Sequence, residues 1–83
     1  MNSDEILARV SAIVSDALQS GPVVLTRDTK AMQVRGWDSL SHTIILIALE
    51  DAFACTLPVD RTLALKNVGD LVDLIADVTS QRR

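Results

Sequence analysis

Aromatic side chains are nearly missing from this 83-residue chain, which has one Trp, one Phe and no Tyr. Leu, Ile, Val and Ala must therefore build the core, a composition that suits packed helices, and the length suits one domain over residues 1–83. A single cysteine, Cys55, excludes an internal disulfide and a multi-cysteine zinc site. Helix packing is then the source of stability, and the cytosol the expected compartment. Bases are outnumbered by acids, 8 to 11, at a sequence pI of about 4.8, so binding by phosphate neutralisation is not expected and nucleic acid is excluded as a partner. Two of those bases are Arg82 and Arg83, which leaves the body more acidic than the net charge of -3 suggests and attractive to a basic partner surface. The acidic start Met1-Asn2-Ser3-Asp4-Glu5 lacks the basic and apolar segments of a secretion signal. No apolar run is long enough to span a membrane, and a monomer is expected.

What is present is helical period. Ile6, Val10, Ile13, Val14, Ala17 and Leu18 recur at three- and four-residue spacing, so a helix is predicted from Asn2 to about Gln19, with either Asn2, paired with Glu5, or Ser3 as its cap. Gly21-Pro22 ends it. Residues 21–37 carry no sustained period and read as a long connection with at most a short turn, pinned down by Val23, Val24, Leu25, Met32 and Val34. A strand over residues 23–26 would lack a pairing partner.

Asp38 can cap a second helix running to about Phe53. Its apolar residues form two stripes, Ile45, Leu46, Leu49 and Phe53 on one face and Leu40, Ile44 and Ile47 on the opposite one. Such a helix is either central and buried all round or offers its second stripe, bordered by Glu50 and Asp51, as a docking surface. Leu57 is expected to pack inward after the break at Ala54-Cys55-Thr56-Leu57-Pro58. Asp60 is expected to cap a short helix through Leu65. Asn67, with Asp70 three residues on, opens a last helix burying Val68, Leu71, Val72, Ile75 and Val78, and residues 79–83 form a polar, frayed tail. Asp70, Asp73 and Asp77 read as a solvated face. The sum is an all-α bundle of three main helices and one short helix with a long first loop.

Catalysis has little to work with. His42, the only histidine, lies one turn after Ser39, and a base there without an orienting acid is an incomplete triad. His42 and Cys55 are not grouped with further metal ligands. Cys55 has no neighbouring base to lower its pKa and reads as structural, and Trp37 as an anchor for the long loop. No catalytic residue and no metal site is assigned. The second helix carries no Lys or Arg between Ser39 and Phe53, which a DNA-reading helix would need. Ser39 itself suits a helix start. A phosphoester on it would lie near the exposed amides and positive end of the helix dipole, with Asp38 adding a negative charge that calls for a cation or basic partner during modification.

Gly36-Trp37-Asp38-Ser39-Leu40 resembles the phosphopantetheine attachment motif of acyl carrier proteins. The similarity continues through Ala48-Leu49-Glu50-Asp51-Ala52-Phe53, Leu57-Pro58 and Val68-Gly69-Asp70-Leu71-Val72, and covers residues 3–78. The resemblance implies an acyl-carrier-like bundle and a phosphodiester from Ser39 to 4′-phosphopantetheine derived from coenzyme A, installed by a phosphopantetheinyl transferase. The arm's thiol would hold an acyl group as a thioester for separate loading enzymes and synthase or transferase domains, so that the chain carries chemistry without catalysing it. It implies a role in transferase recognition for Asp38, and a docking surface made of Leu40, Ile44, Ile47, Glu50 and Asp51. Fatty-acid carriers usually have acids where Ser41 and Ile44 stand, so this face is more apolar than theirs. With Trp37, that implies a discrete carrier of a specialised pathway such as polyketide assembly. A peptidyl or aminoacyl carrier and a fatty-acid synthesis carrier are the alternatives within the class, and a helical adaptor with no prosthetic group the alternative outside it.

Overall fold

The computed structural model describes residues 2–19 and 23–80, all helix, turn and loop, with no strand among them. Helix α1 spans Ser3–Leu18, a single 3-10 turn Ala31–Gln33, α2 Ser39–Phe53, α3 Val59–Leu63 and α4 Val68–Ser80. Helix α1 starts where Asn2, not Ser3, leaves the helical region and its Oδ1 accepts from Glu5 N at 2.8 Å. The expected stop at Gly21-Pro22 lies outside the described residues; the helix ends at Gln19, which turns left-handed at φ 52. Ile6, Val10 and Val14 of α1 are completely buried, and the helix packs against both α2 and α4.

Helix α2 buries Ile45, Leu49 and Phe53, with Leu46 at the margin of the same core. It closes on Ala54 in the left-handed region, after which Glu50 folds its carboxylate back to accept from Leu57 N at 2.7 Å. That bond turns Leu57 into the core. Helix α3 is shorter than expected and has no side-chain cap: Pro58 stands at its start and Asp60 lies inside the first turn. Its preset φ of -60 starts the helix without a carboxylate, and the helix ends at Leu63 rather than Leu65.

Helix α4 opens as its sequence suggests, with Asn67 Oδ1 accepting from Asp70 N at 2.8 Å, while the Asp70 carboxylate reaches Lys66 N at 3.0 Å. Two further first-turn amides, which no helical carbonyl can serve, donate into the first loop: Val68 N to Thr29 O and Gly69 N to Arg27 O, both at 2.8 Å. This explains why the expected set of loop anchors is too generous. Val24 and Met32 are 90% and 87% exposed, and the apolar anchors are Leu25, which is buried, with Val23 and Val34 at the core's edge. Extended backbone alternates its side chains, so burying Leu25 sends Val24 outward, and the backbone bonds to α4 supply the rest. The aspartates of α4 stay on a solvated face, where two of them are paired, Asp73 with Arg27 of the loop at 2.8 Å and Asp77 with Arg61 of α3 at 2.7 Å. Leu74 joins Val68, Leu71, Val72 and Ile75 in the buried set, whereas Val78, expected among them, is only partly buried at the core's edge near the end of the helix. Residues 79 and 80, expected in a frayed tail, belong to the helix, their hydroxyls donating back to Ile75 O and Asp77 O. Residues 81–83 lie outside the described residues.

Candidate functional site

The site is built at the junction of the first loop and α2. After the 3-10 turn the chain must reverse within a few residues, and Gly36 makes this possible at φ +88, a conformation other side chains rarely take. The turn delivers Trp37 to the core, 9% exposed. Asp38 then caps α2, its backbone extended and its Oδ1 accepting from Ser41 N at 2.9 Å. Hydrogen bonds from the Ser41 backbone, and then from its side chain, hold the Asp38 carboxyl below the usual carboxylate range, so it is ionised at neutral pH.

Ser39 is the first residue of α2 and is exposed. Its carbonyl accepts from Thr43 Oγ1 at 3.2 Å, but its own hydroxyl is hydrogen-bonded to no described residue. His42, one turn on, turns away from a catalytic pairing. Its Nδ1 accepts from Trp37 Nε1 at 3.0 Å, with the two rings stacked at 29° and 6.1 Å between centroids. Burial lowers the His42 pKa, so the ring is neutral. With Nδ1 taken as acceptor, the ring proton resides on Nε2 and the side chain has no free lone pair with which to act as a base. Trp37 is thus an anchor with a second task, since it sets the tautomer of His42.

Of the two stripes on α2, the second is open: Leu40 is 72%, Ile44 48% and Ile47 59% exposed. The acids beside it differ. Asp51 is exposed, whereas Glu50 is half-buried and engaged with Leu57. Two exposed apolar residues of α3, Val59 and Leu63, were not singled out from sequence, because a five-residue helix carries too little pattern to reveal which face it covers. Between α2, α3 and the start of α4 runs a cleft of about 210 Å³ with walls that include Trp37, His42, Leu63 and Leu71. Cys55 is half-buried against the core, far in sequence from this site. Among the described residues no group of His, Cys, Asp and Glu could hold a metal ion, and no helix is long and apolar enough to cross a membrane.

The fold is that of a phosphopantetheine-binding protein, and the family described as phosphopantetheine attachment site matches residues 8–75. The relatives narrow the class. The acyl carrier protein of Thermosynechococcus vestitus is 35% identical over 75 residues, covering 90% of this chain and 93% of that protein. That of Caulobacter vibrioides is 32% identical over 76 residues, covering 92% and 97%. The solution NMR structure of holo acyl carrier protein from Geobacter metallireducens superposes with a TM-score of 0.85 at 32% identity, covering 93% of this chain and 88% of that one. The chain belongs to the acyl carrier protein family, a family of carriers, and its prosthetic group is covalently bound 4′-phosphopantetheine.

Proposed function

We propose that Ser39 is the attachment point of 4′-phosphopantetheine and that the chain, as one carrier domain, presents an acyl group to the enzymes of a polyketide or other specialised pathway. The residues at the start of α2 suit the group. Ser39 Oγ is exposed and uncommitted, and a phosphodiester there would sit at the positive end of the α2 dipole. The arm supplies a thiol that holds the acyl group as a thioester. In the modification step Ser39 Oγ forms a bond to the phosphorus of coenzyme A nearest the pantetheine, the bond from that phosphorus to the departing nucleotide breaks, and 3′,5′-ADP leaves. The serine proton must pass to a base on the transferase, because neutral His42 has its only lone pair engaged by Trp37. The ionised Asp38 lies next to this reaction, adding a charge that a transferase-borne cation would balance.

The pathway reading rests on one observation, the open stripe of Leu40, Ile44 and Ile47 that follows Ser39 along α2. Partners of this face need apolar counterparts more than a row of bases, with Asp51 offering one exposed acid at its far end and Glu50 a carboxylate already shared with the loop. Co-expression with a phosphopantetheinyl transferase and intact-mass measurement tests the attachment. The wild-type chain is expected to gain one phosphopantetheine and Ser39→Ala none. A Ser39→Ala variant that still gains it, or a wild-type chain that never does with promiscuous or cognate transferases, sinks the reading.

A further inference from the structure

The segment that delivers Ser39 is closed by a set of hydrogen bonds, and a proton can switch one of them off. Asp38 secures the head of α2, its carbonyl accepting from His42 N at 2.8 Å and its Oδ1 from Ser41 N at 2.9 Å. Upstream, Trp37 N donates to Val34 O at 3.1 Å. The remaining bond runs across Ser39, for Trp37 Nε1, two residues before it, donates to His42 Nδ1, three residues after it, at 3.0 Å. The backbone from 37 to 42 and this side-chain bond together form a clasp that includes Ser39, which is exposed and whose hydroxyl no described residue engages. His42 is no base for the transfer, its lone pair being taken, so the effect of the bond on Ser39 is one of position.

That bond exists only while the imidazole is neutral. A proton on Nδ1 sets two N–H donors against each other at 3.0 Å with no acceptor between them, and the indole, 9% exposed, loses its partner where water reaches it poorly. Charged groups round the ring are few. Lys66 lines the same cleft from the connection between α3 and α4, and Asp38 stands at the head of α2 with its carboxylate turned to Ser41 N. The rest of that cleft lining, from the first loop, α3 and α4, does not titrate. Burial, with no charged group adding to it, keeps the ring neutral at pH 7. We propose that Trp37 and His42 are a positioning pair for the transfer of phosphopantetheine to Ser39, and that protonation of His42 opens the clasp and slows that transfer. This rests on the carrier reading and adds to it a control seated in the carrier rather than in the transferase. With the clasp open, the chain entering α2 is no longer held from the helix side, and the ordered geometry must be regained before Ser39 can react. The bond is present above about pH 6.5 and is lost as pH falls through the lower folded value of His42. Net hydrogen-bond strengths of this kind correspond to about a two- to tenfold effect on rate.

In the test, the wild-type chain and His42→Gln, mixed in equal amounts, compete for one phosphopantetheinyl transferase and coenzyme A over a series of pH values, and intact mass reads both products. The pH dependence of the transferase itself cancels in the ratio. Glutamine offers an acceptor oxygen that does not titrate, so the ratio of wild-type to variant modification is expected to fall about two- to tenfold as pH drops below about 6.5. Trp37→Phe removes the donor instead, and the wild type should lose its advantage over that variant in the same range. Either competitor serves if the other fails to fold. In the ¹⁵N-labelled, unmodified wild-type chain the Trp37 indole N–H signal should shift and exchange faster with water over that range, while the amides of α1 and α4 stay protected; in His42→Gln it should not move. Level ratios against both competitors, or an indole signal that changes only when amide protection is lost throughout, overturn the positioning pair and leave the carrier reading standing. If neither chain is modified at any pH, the carrier reading falls and the positioning role with it.

Discussion

At the scale of single residues, the ends of the helices carry the most information. Asp38 and Asn67 act as caps through bonds to the residue three positions on, at 2.9 and 2.8 Å, and such contacts are legible because the spacing alone creates them. Ala54 is the opposite case. It closes α2 at φ 51, where an alanine is strained and glycine is not. Ala54 is exposed, so nothing is lost by removing its methyl group. Ala54→Gly is expected to raise stability by about 1 kcal/mol, seen as a higher urea midpoint at unchanged slope; an unchanged or lower midpoint would mean that the flexibility glycine adds to the unfolded chain cancels the relief. The tautomer of His42 could not be read from sequence. It depends on where the preceding loop leaves the Trp37 indole, and that is decided by Gly36 and by the burial of Trp37.

At the scale of elements, α2 shows where pattern stops short. Its two stripes were plain in the sequence, but a helix buried all round and a helix with one open face have the same pattern, and only the placement of α1 and α4 decides between them. Because Ile44 is 48% exposed, Ile44→Glu is expected to leave the thermal transition close to wild type while weakening transfer with cognate partners about five- to tenfold, the scale of a moderate interface residue. Unfolding of that variant, or transfer at the wild-type rate, counts against the docking face. The first loop was harder still, for it carries no period, and its strongest ties are backbone carbonyls that accept from the first turn of α4. Gly69 is what lets the two approach. A Cβ there would meet Arg27 O at 2.9 Å and Arg27 Cβ at 3.1 Å. Overpacking of this kind costs about 1–3 kcal/mol, and the better helix propensity of alanine returns only about 1 kcal/mol of it. Gly69→Ala should therefore lower the denaturation midpoint and speed amide exchange in the loop. A midpoint at or above wild type would mean that the loop yields without loss.

At the scale of the molecule, two shifted groups at the start of α2 push stability the same way with pH. Burial lowers the His42 pKa in the folded state, so as pH falls below about 6.5 the unfolded chain takes up more protons than the folded one. The resulting loss of stability begins there and is complete once the pH has passed the folded value. For Asp38, hydrogen bonds from Ser41 lower the folded pKa, and the stability they confer above about 3.8 is lost as pH falls through the folded value. The expected profile is a decline in two stages. The urea midpoint should start to drop as pH falls through about 6.5, and His42→Gln should flatten that first stage while leaving the second in place. A wild-type midpoint that is level over the first range would contradict the neutral, buried imidazole.

By itself the sequence determined the three main helices, the caps Asp38 and Asn67 and the motif around Ser39, because these rest on residues close together in the chain, but not the start of α3, where Pro58 stands in place of an Asp60 cap. Tertiary structure decided which stripe of α2 stays open, that Asp73 and Asp77 of α4 meet Arg27 and Arg61, that Val24 and Met32 face outward, and where the His42 proton sits. These depend on partners from distant parts of the chain, as Arg27 and Asp73 show across 46 positions. No local pattern records a contact that exists only once the helices have packed.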